Sequence, residues 1–485
     1  MKHQFATVQH ILGALLMLFS TSMLIPLLLA LFYGEGGAQT FAASFAITLT
    51  AGTLVWLPVR KTRRDLKIRD GFLVVVLFWV VLSSFGALPL LLATTPELTL
   101  TDAMFEAVSG LTATGATVLS GLDGMPHAIL FWRQLLHWMG GMGIIVLAVA
   151  VMPMLGIGGM QLYRAETPGP VKDTKLTPRI RETAKALWYI YLALTLLCVL
   201  LFWSAGMSPF DAVSHGFSAI ATGGFANYDA SIGHFNSQAI ELVTIFAMLL
   251  GSINFGLHFT AWRHADPSIY VRDPEARAYL VMVVIVSLFV ALILLFSATY
   301  TQLPQALLAA VFMAISFGTT TGLTVADYVS WPSFIPMFLL LGCFVGGCGG
   351  STTGGMKVVR FLLLAKQGLR EINRLVHPNA KIPIKLGGKT VPDRIIQAVW
   401  GFFAVYVAVF VIMFLCLLAN GVDEVSAFSA VAACINNMGV GLARASTDFA
   451  GLPILSKWIL SLAMIMGRLE MFTLLVIFTP TFWRQ

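Results

Sequence analysis

Four short turns, each ending in glycine, interrupt hydrophobic sequence at Thr112-Ala113-Thr114-Gly115, Ile220-Ala221-Thr222-Gly223, Thr319-Thr320-Thr321-Gly322 and Asn436-Asn437-Met438-Gly439. Their glycines stand 108, 99 and 117 residues apart, a regularity that points to an internal repeat, and each interval has room for two membrane spans. Four re-entrant turns gathered around one axis have the parts of an ion selectivity filter, in which backbone carbonyls replace the water around a dehydrated cation. Leu111 joins the candidate set, because the sequence leaves the register of the first turn open by about one residue.

The flanking sequence sets the solvent. Of 485 residues, 58% are hydrophobic and 11% charged, against roughly 25% charged in an average soluble domain. Apolar runs of about 20 residues, enough to cross a bilayer, are read at 8–32, 39–58, 71–93, 128–153, 184–205, 237–261, 278–299, 332–364, 395–419 and 452–480. The first is too long for a signal peptide and lacks a small-x-small cleavage pattern, so it is read as a retained helix. The expected fold is therefore an all-α polytopic membrane protein with two N-terminal transmembrane helices and four pseudo-symmetric repeats around one pore. Each repeat runs span, pore helix, filter loop, span. The divisions are 1–70 for the N-terminal pair and 71–183, 184–277, 278–393 and 394–485 for the repeats, with the last helix of the third repeat broken.

Charge gives the orientation. The loops 59–70, 154–185, 262–277 and 357–394 carry 6, 6, 3 and 9 of the 30 Lys and Arg residues, so these loops, and the termini with Lys2 and Arg484, are expected on the cytoplasmic side. The opposite connections carry Glu97, Asp102, Glu106, Asp123, Asp211, Asp229, Asp327, Asp423, Glu424 and Asp448 against Arg444 alone. The turns are thus expected to enter from outside through an acidic vestibule. The net charge of +7 is a topology signal rather than a nucleic-acid footprint. Cys198, Cys343, Cys348, Cys416 and Cys434 lie in apolar segments without metal-ligand spacing and read as buried small side chains. No catalytic centre is visible, and the chain is not expected to be an enzyme.

A half-helix of about 10–12 residues precedes each turn, too short to span and so required to turn back. Thr101–Leu111 is the first; Ser208-Pro209, Leu303-Pro304 and Asp423-Glu424 open the others, residue types that start helices. Their C-terminal ends carry partial negative charge toward the membrane centre, where it favours a cation. Thr and Asn side chains can hydrogen-bond behind a turn while carbonyls face the axis, and glycine permits the required dihedrals.

Two further features lie on the other side of the turns. Gly346-Gly347-Cys348-Gly349-Gly350-Ser351-Thr352-Thr353-Gly354-Gly355 is not a phosphate loop, since Val358 and Val359 follow Lys357 where Ser or Thr is needed. A flexible helix break and an intramembrane gate both fit it. Arg468 lies within an apolar run, where a charge costs roughly 2.5–3.5 kcal/mol; Glu470 is on another helix face. An ion pair with another helix, a snorkelling side chain and a positive barrier in the pore all fit Arg468.

The segments 109–117, 215–229, 316–328 and 436–446 resemble the pore loops of the Trk/Ktr/HKT superfamily of cation transporters, most closely the TrkH-type potassium uptake subunits, and the likeness runs over essentially the whole chain. The resemblance implies a central potassium path, K+ as the transported ion, a gating loop at 346–355, assembly as a homodimer, and regulation by a cytosolic ring of TrkA-type nucleotide-binding subunits. No nucleotide motif lies in this chain, so any nucleotide dependence is borrowed. In the superfamily a serine at the first filter glycine goes with sodium permeation; glycine at Gly115, Gly223, Gly322 and Gly439 favours potassium. The basic residues Arg360, Lys366, Arg370, Arg374, Lys381, Lys385 and Lys389 fit either anionic lipid or that regulator. The expected function is potassium uptake across the bacterial inner membrane; ion-coupled symport with H+ or Na+ is the alternative, and a polytopic membrane enzyme a remote one.

Overall fold

The computed structural model describes residues 5–61, 68–143, 180–469 and 471–483. Parts of the basic loops 59–70 and 154–185, the end of the span expected at 128–153, Glu470, Lys2 and Arg484 lie outside the described residues.

Lipid cannot hydrogen-bond a backbone, so an apolar chain satisfies its amides within helices. Among the described residues the regular secondary structure is helical apart from one short antiparallel hairpin pairing Lys385–Leu386 with Lys389–Thr390. Helices long and apolar enough to cross a membrane are Ala6–Tyr33, Ala38–Val59, Arg69–Leu92, Lys185–Ser204, Pro274–Phe296 and Asp393–Ala419. Their outer faces are themselves apolar. Pro274–Phe296 exposes Val281, Val284, Ile285, Leu288, Leu292 and Phe296 while burying Tyr279, Val283, Val290 and Leu294, as a lipid-facing helix does. Cys416 departs from the expected burial: it is exposed on such a face, whereas Cys198, Cys343, Cys348 and Cys434 are buried.

The N-terminal pair packs by close backbone approach. A Cβ on Gly13 would lie 2.8 Å from the Trp56 nitrogen, and one on Gly52 2.9 Å from that of Met17. Small residues allow this contact where lipid supplies no hydrophobic drive between helices.

The helices that lead into the four turns are Leu100–Leu111, Pro209–Ile220, Leu303–Gly318 and Glu424–Ile435. Side chains cap three of them. Thr99 accepts from Asp102 N, Ser208 from Asp211 N and Asp423 from Ser426 N, each cap stabilising its helix by about 1 kcal/mol. That backbone N–H also holds the Asp423 carboxyl below its usual pKa. The third helix is longer than expected, 16 residues with proline in its first turn, yet at about 24 Å it is still shorter than the ~30 Å hydrocarbon layer.

The helices that follow are not the continuous spans expected at 237–261 and 452–480. Gln238–Ser252 and Phe255–His264 meet at 98°, and Ile454–Arg468 and Phe472–Phe478 at 106°. After the first turn, helix His127–Trp138 runs into a π-helical stretch, Met139–Gly143. In the third unit, helix Phe334–Gly342 stops and Val358–Val376 begins after the glycine-rich segment. The break expected in the third unit alone therefore has counterparts in the others.

Candidate cation site

Each half-helix ends in the same backbone geometry. The amides of Thr114, Gly223, Thr321 and Met438 donate to the carbonyls of Ser109, Ser218, Ser316 and Ala433, five residues back. Just before each stands a left-handed residue, Ala113 (φ 51°), Thr222 (50°), Thr320 (57°) or Asn437 (53°); just after comes a left-handed glycine, Gly115 (84°), Gly224 (90°), Gly322 (79°) or Gly439 (84°). Left-handed residues flanking one of the opposite hand turn successive carbonyls toward one side. Ala and Thr pay for this conformation and glycine does not.

The second turn thereby shifts by one residue from its sequence reading. Gly224, not Gly223, is the counterpart of Gly115, Gly322 and Gly439, and Gly223 matches Thr114. Ile220 and Leu111 close their half-helices.

The four turns form a closed ring. A Cβ on Gly115 would run into the carbonyl oxygen of Gly223, one on Gly224 into that of Thr321, one on Gly322 into that of Met438, and one on Gly439 into that of Thr114. Each glycine lets the next turn's carbonyl approach, and the series returns to its start in chain order.

Polar side chains hold the ring from behind. Thr112 Oγ1 bonds Thr114 Oγ1 at 2.7 Å, and Thr319 Oγ1 bonds Thr321 Oγ1 at 2.6 Å. Their counterparts are Ala221 and Asn436. Asn436 donates to Ala432 O (2.9 Å) and accepts from the Tyr406 hydroxyl (2.6 Å), while Asn437 donates to Thr114 Oγ1 (2.9 Å). The Asn-Asn-Met turn thus ties itself to the first turn where a threonine could not reach. Met438 is buried and contributes its carbonyl.

Below the ring, glycines of the broken helices sit against the last half-helix carbonyls. A Cβ on Gly251 would lie 2.7 Å from Ile220 O, and Cβ atoms on Gly140 and Gly467 would collide with Leu111 O and Ile435 O.

The 346–355 segment packs into the same layer. Thr352 N donates to Gly251 O (3.1 Å) and Gly355 N to Asn436 O (3.2 Å). Thr352 Oγ1 donates to Ile220 O (3.1 Å), Thr222 Oγ1 to Thr352 Oγ1 (3.1 Å), and Gly354 N to Thr320 Oγ1 (2.7 Å). Gly346, Gly350 and Gly355 take left-handed φ, and a Cβ on Gly347 would meet Thr353 Oγ1 at 2.6 Å. Ser351 Oγ bonds Thr353 Oγ1 (2.7 Å), and Lys357 Nζ donates to Thr353 O. Gly349 faces away from the ring, its amide donating to Glu275 Oε1 at 2.6 Å.

Arg468 meets this segment. Its guanidinium donates to Thr352 O (2.8 Å), Gly140 O (2.6 Å) and Gly141 O (2.8 Å). A cation is held among carbonyls contributed by two other units.

The acidic vestibule is smaller than charge counting implied. Glu106 is fully buried against Arg133 (2.7 Å), and Asp102 pairs with the buried Lys457 (2.6 Å). Asp211 is buried and accepts from Asn227 Nδ2 (2.9 Å) and the Tyr228 hydroxyl (3.1 Å). Burial, and then the Asp211 charge, pushes the Tyr228 phenol up to about 12, so it remains a proton donor across the physiological range. Glu97, Asp123, Asp229, Asp327 and Glu424 stay exposed. Sequence reasoning passed over Gly224, Arg133, Glu275 and the paired glycines Gly140 and Gly141. The Gly223-Gly224 doublet was the one local signal of a second register.

Residues 37–485 match the family model for TrkH, described as a cation transport protein. The Trk system potassium uptake protein TrkH of Vibrio parahaemolyticus is 54% identical over 99% of this chain and 100% of its own length; that of Escherichia coli is 51% identical over the same shares. The E. coli protein TrkG, also named for potassium uptake, is 42% identical over 99% and 98%. The crystal structure of the potassium transporter TrkH from V. parahaemolyticus superposes with a TM-score of 0.91 at 52% identity, covering 99% of this chain and 100% of that one. These relatives are named as transport proteins, not enzymes. With a family model and full-length likeness in agreement, this chain belongs to the TrkH family of cation transport proteins.

Proposed function

We propose that the chain takes up potassium through a path running along the axis of the four turns. The closed ring of glycines and neighbouring carbonyls carries this reading: oxygen dipoles from four half-helix ends converge on one place, and a dehydrated cation needs such a shell. K+ is the transported ion, and the relatives' potassium uptake names support the choice. The filter comprises Leu111–Gly115, the turn 220–223 with Gly224 added, 319–322 and 436–439, within four repeats divided as the sequence suggested.

The 346–355 segment and Arg468 form the gate. A segment hydrogen-bonded to Ile220, Thr320 and Asn436 stands across the route from the ring, and Arg468 places a positive charge there that repels cations. Conduction is driven by the ion's own gradient and the membrane potential. Coupled symport is the second reading, kept because the names of the relatives specify uptake without its mechanism.

The protein sits in the bacterial inner membrane with both termini in the cytoplasm, as the basic loops indicate. A cytosolic TrkA-type ring acts on the face that carries helix Val358–Val376 and the 385–390 hairpin, and basic residues there also meet anionic lipid. The chain pairs as a homodimer; the exposed Leu369, Ile372, Leu375 and Val376 give that helix an apolar stripe suited to a second copy.

Potassium and sodium flux in liposomes, for the native protein and a Gly115→Ser form, tests the filter assignment. The serine form is expected to lose discrimination; equal behaviour of the two would undo the assignment.

A further inference from the structure

The turns are not braced alike. Two residues beyond the ring glycines stand Thr117 in the first turn and Ala226 in the second, and one guanidinium joins both. Arg133 Nη2 donates to Thr117 Oγ1 (3.1 Å), Nη1 to Ala226 O (3.2 Å) and Nε to Glu106 Oε1 (2.7 Å). Glu106 in turn accepts from Thr117 Oγ1 (3.0 Å) and from Val118 N (2.9 Å). The guanidinium carbon lies 4.1 Å from the centre of the Phe225 ring, which also stacks on His137 at 4.1 Å. Arg133 is 1% exposed and Glu106 is not exposed at all.

The matching positions in the other turns are held by neutral groups. Thr324 O accepts from Gly233 N at 3.2 Å, and Gly441 O accepts from the Tyr328 hydroxyl at 2.6 Å. A buried ion pair is expensive in desolvation and is kept where its geometry serves something besides stability. The pair has Thr117, Val118 and Ala226 as hydrogen-bond partners, none of them in the 346–355 segment. Its acceptors and donors are the outer limbs of two adjacent turns.

We propose that Arg133 and Glu106 are positioning residues for ion discrimination, fixing the distance between the first and second turns and hence the size of the oxygen shell at that seam. The proposal rests on the filter reading above. Charge-assisted bonds are about twice as strong as neutral ones, so this seam is the stiff one. The planar fork of arginine spans three acceptors on separate elements, a spread that the three donors of a compact ammonium do not match.

Arg133→Lys separates geometry from charge, since it keeps a cation beside Glu106 but loses the fork. In purified, reconstituted protein the K+ over Na+ permeability ratio, taken from bi-ionic reversal potentials, is expected to fall about tenfold in Arg133→Lys, the scale of one lost charge-assisted bond. Glu106→Gln, which keeps an acceptor for Val118 N, is expected to lower the ratio in the same direction, and it serves if the lysine form does not fold. Gly115→Ser runs beside them. If Gly115→Ser abolishes discrimination while folded Arg133→Lys and Glu106→Gln keep the native ratio and lose only thermal stability, the pair is structural and the proposal is overturned. If Gly115→Ser also keeps the native ratio, the filter reading itself fails.

Discussion

The second turn has two adjacent glycines, and the structure distinguishes them by what surrounds each. A Cβ on Gly224 would strike the Thr321 backbone carbonyl, and its φ of 90° lies in the left-handed region. A Cβ on Gly223 would run into the His137 ring, nearest at Nδ1 and 2.5 Å from Cγ. Gly224→Ala therefore incurs about 1–2 kcal/mol of left-handed strain, equivalent to roughly a 5- to 30-fold shift in a conformational equilibrium. It also displaces a carbonyl of the ring itself, a cost that no neighbouring side chain can relieve. Gly223→Ala strains the contact with the His137 ring. Trimming that side chain by His137→Ala makes room, although removing a buried ring costs a few kcal/mol in its own right. A double-mutant cycle on thermal midpoint and potassium flux separates the cases. Gly223→Ala/His137→Ala is expected to recover flux relative to Gly223→Ala, with a favourable coupling of about 1 kcal/mol or more; Gly224→Ala/His137→Ala should be no better than the sum of its parts. Native flux and selectivity in Gly224→Ala would refute the register and the ring geometry derived from it.

Arg468→Ala removes donors to Thr352 O, Gly140 O and Gly141 O, bonds worth roughly 1.5–3 kcal/mol each when charged. Cation flux should rise several-fold in liposomes, and an unchanged flux would count against a barrier at this position. Deleting residues 349–353 should likewise raise flux; flux at the native level would remove the gate assignment. Ser208→Ala deletes a helix cap and should lower stability by about 1 kcal/mol without altering the K+ over Na+ ratio, as read by melting and by reversal potential. At fixed potassium, imposing a proton gradient should leave the reversal potential where it was, and a shift with that gradient would favour symport.

Much of the fold was legible because local chemistry announces it. Ser208, Pro209, Pro304 and Asp423 start helices wherever they stand, and ten apolar runs leave little but a bundle of spans. The break at 346–355 was legible from its glycines, but the bends in the second and fourth units were not. Gly251-Ser252 and Gly467-Arg468 sit in apolar sequence that reads straight through, and what sets them apart is the approach of Ile220 O and Ile435 O from elements 31 and 32 residues earlier in the chain. The phase of the second turn was hidden for a related reason: either glycine of the doublet satisfies the local pattern, and only the Thr321 carbonyl selects Gly224. Counting charges failed at Glu106 because its partner, Arg133, stands on the following helix, inside a stretch that reads as apolar. Hydrophobic pattern reports burial against lipid or core, but it carries no record of which buried polar groups meet.

A filter of this kind requires oxygen atoms of four turns to share one cation. A structure determined in thallium or rubidium tests it most directly. Heavy-ion density is expected on the axis of the ring, within coordinating distance of main-chain oxygens from residues 111–115, 220–224, 319–322 and 436–439, and potassium but not equal sodium should displace it. Density bound elsewhere, or density that sodium displaces as readily as potassium, would contradict the shared site.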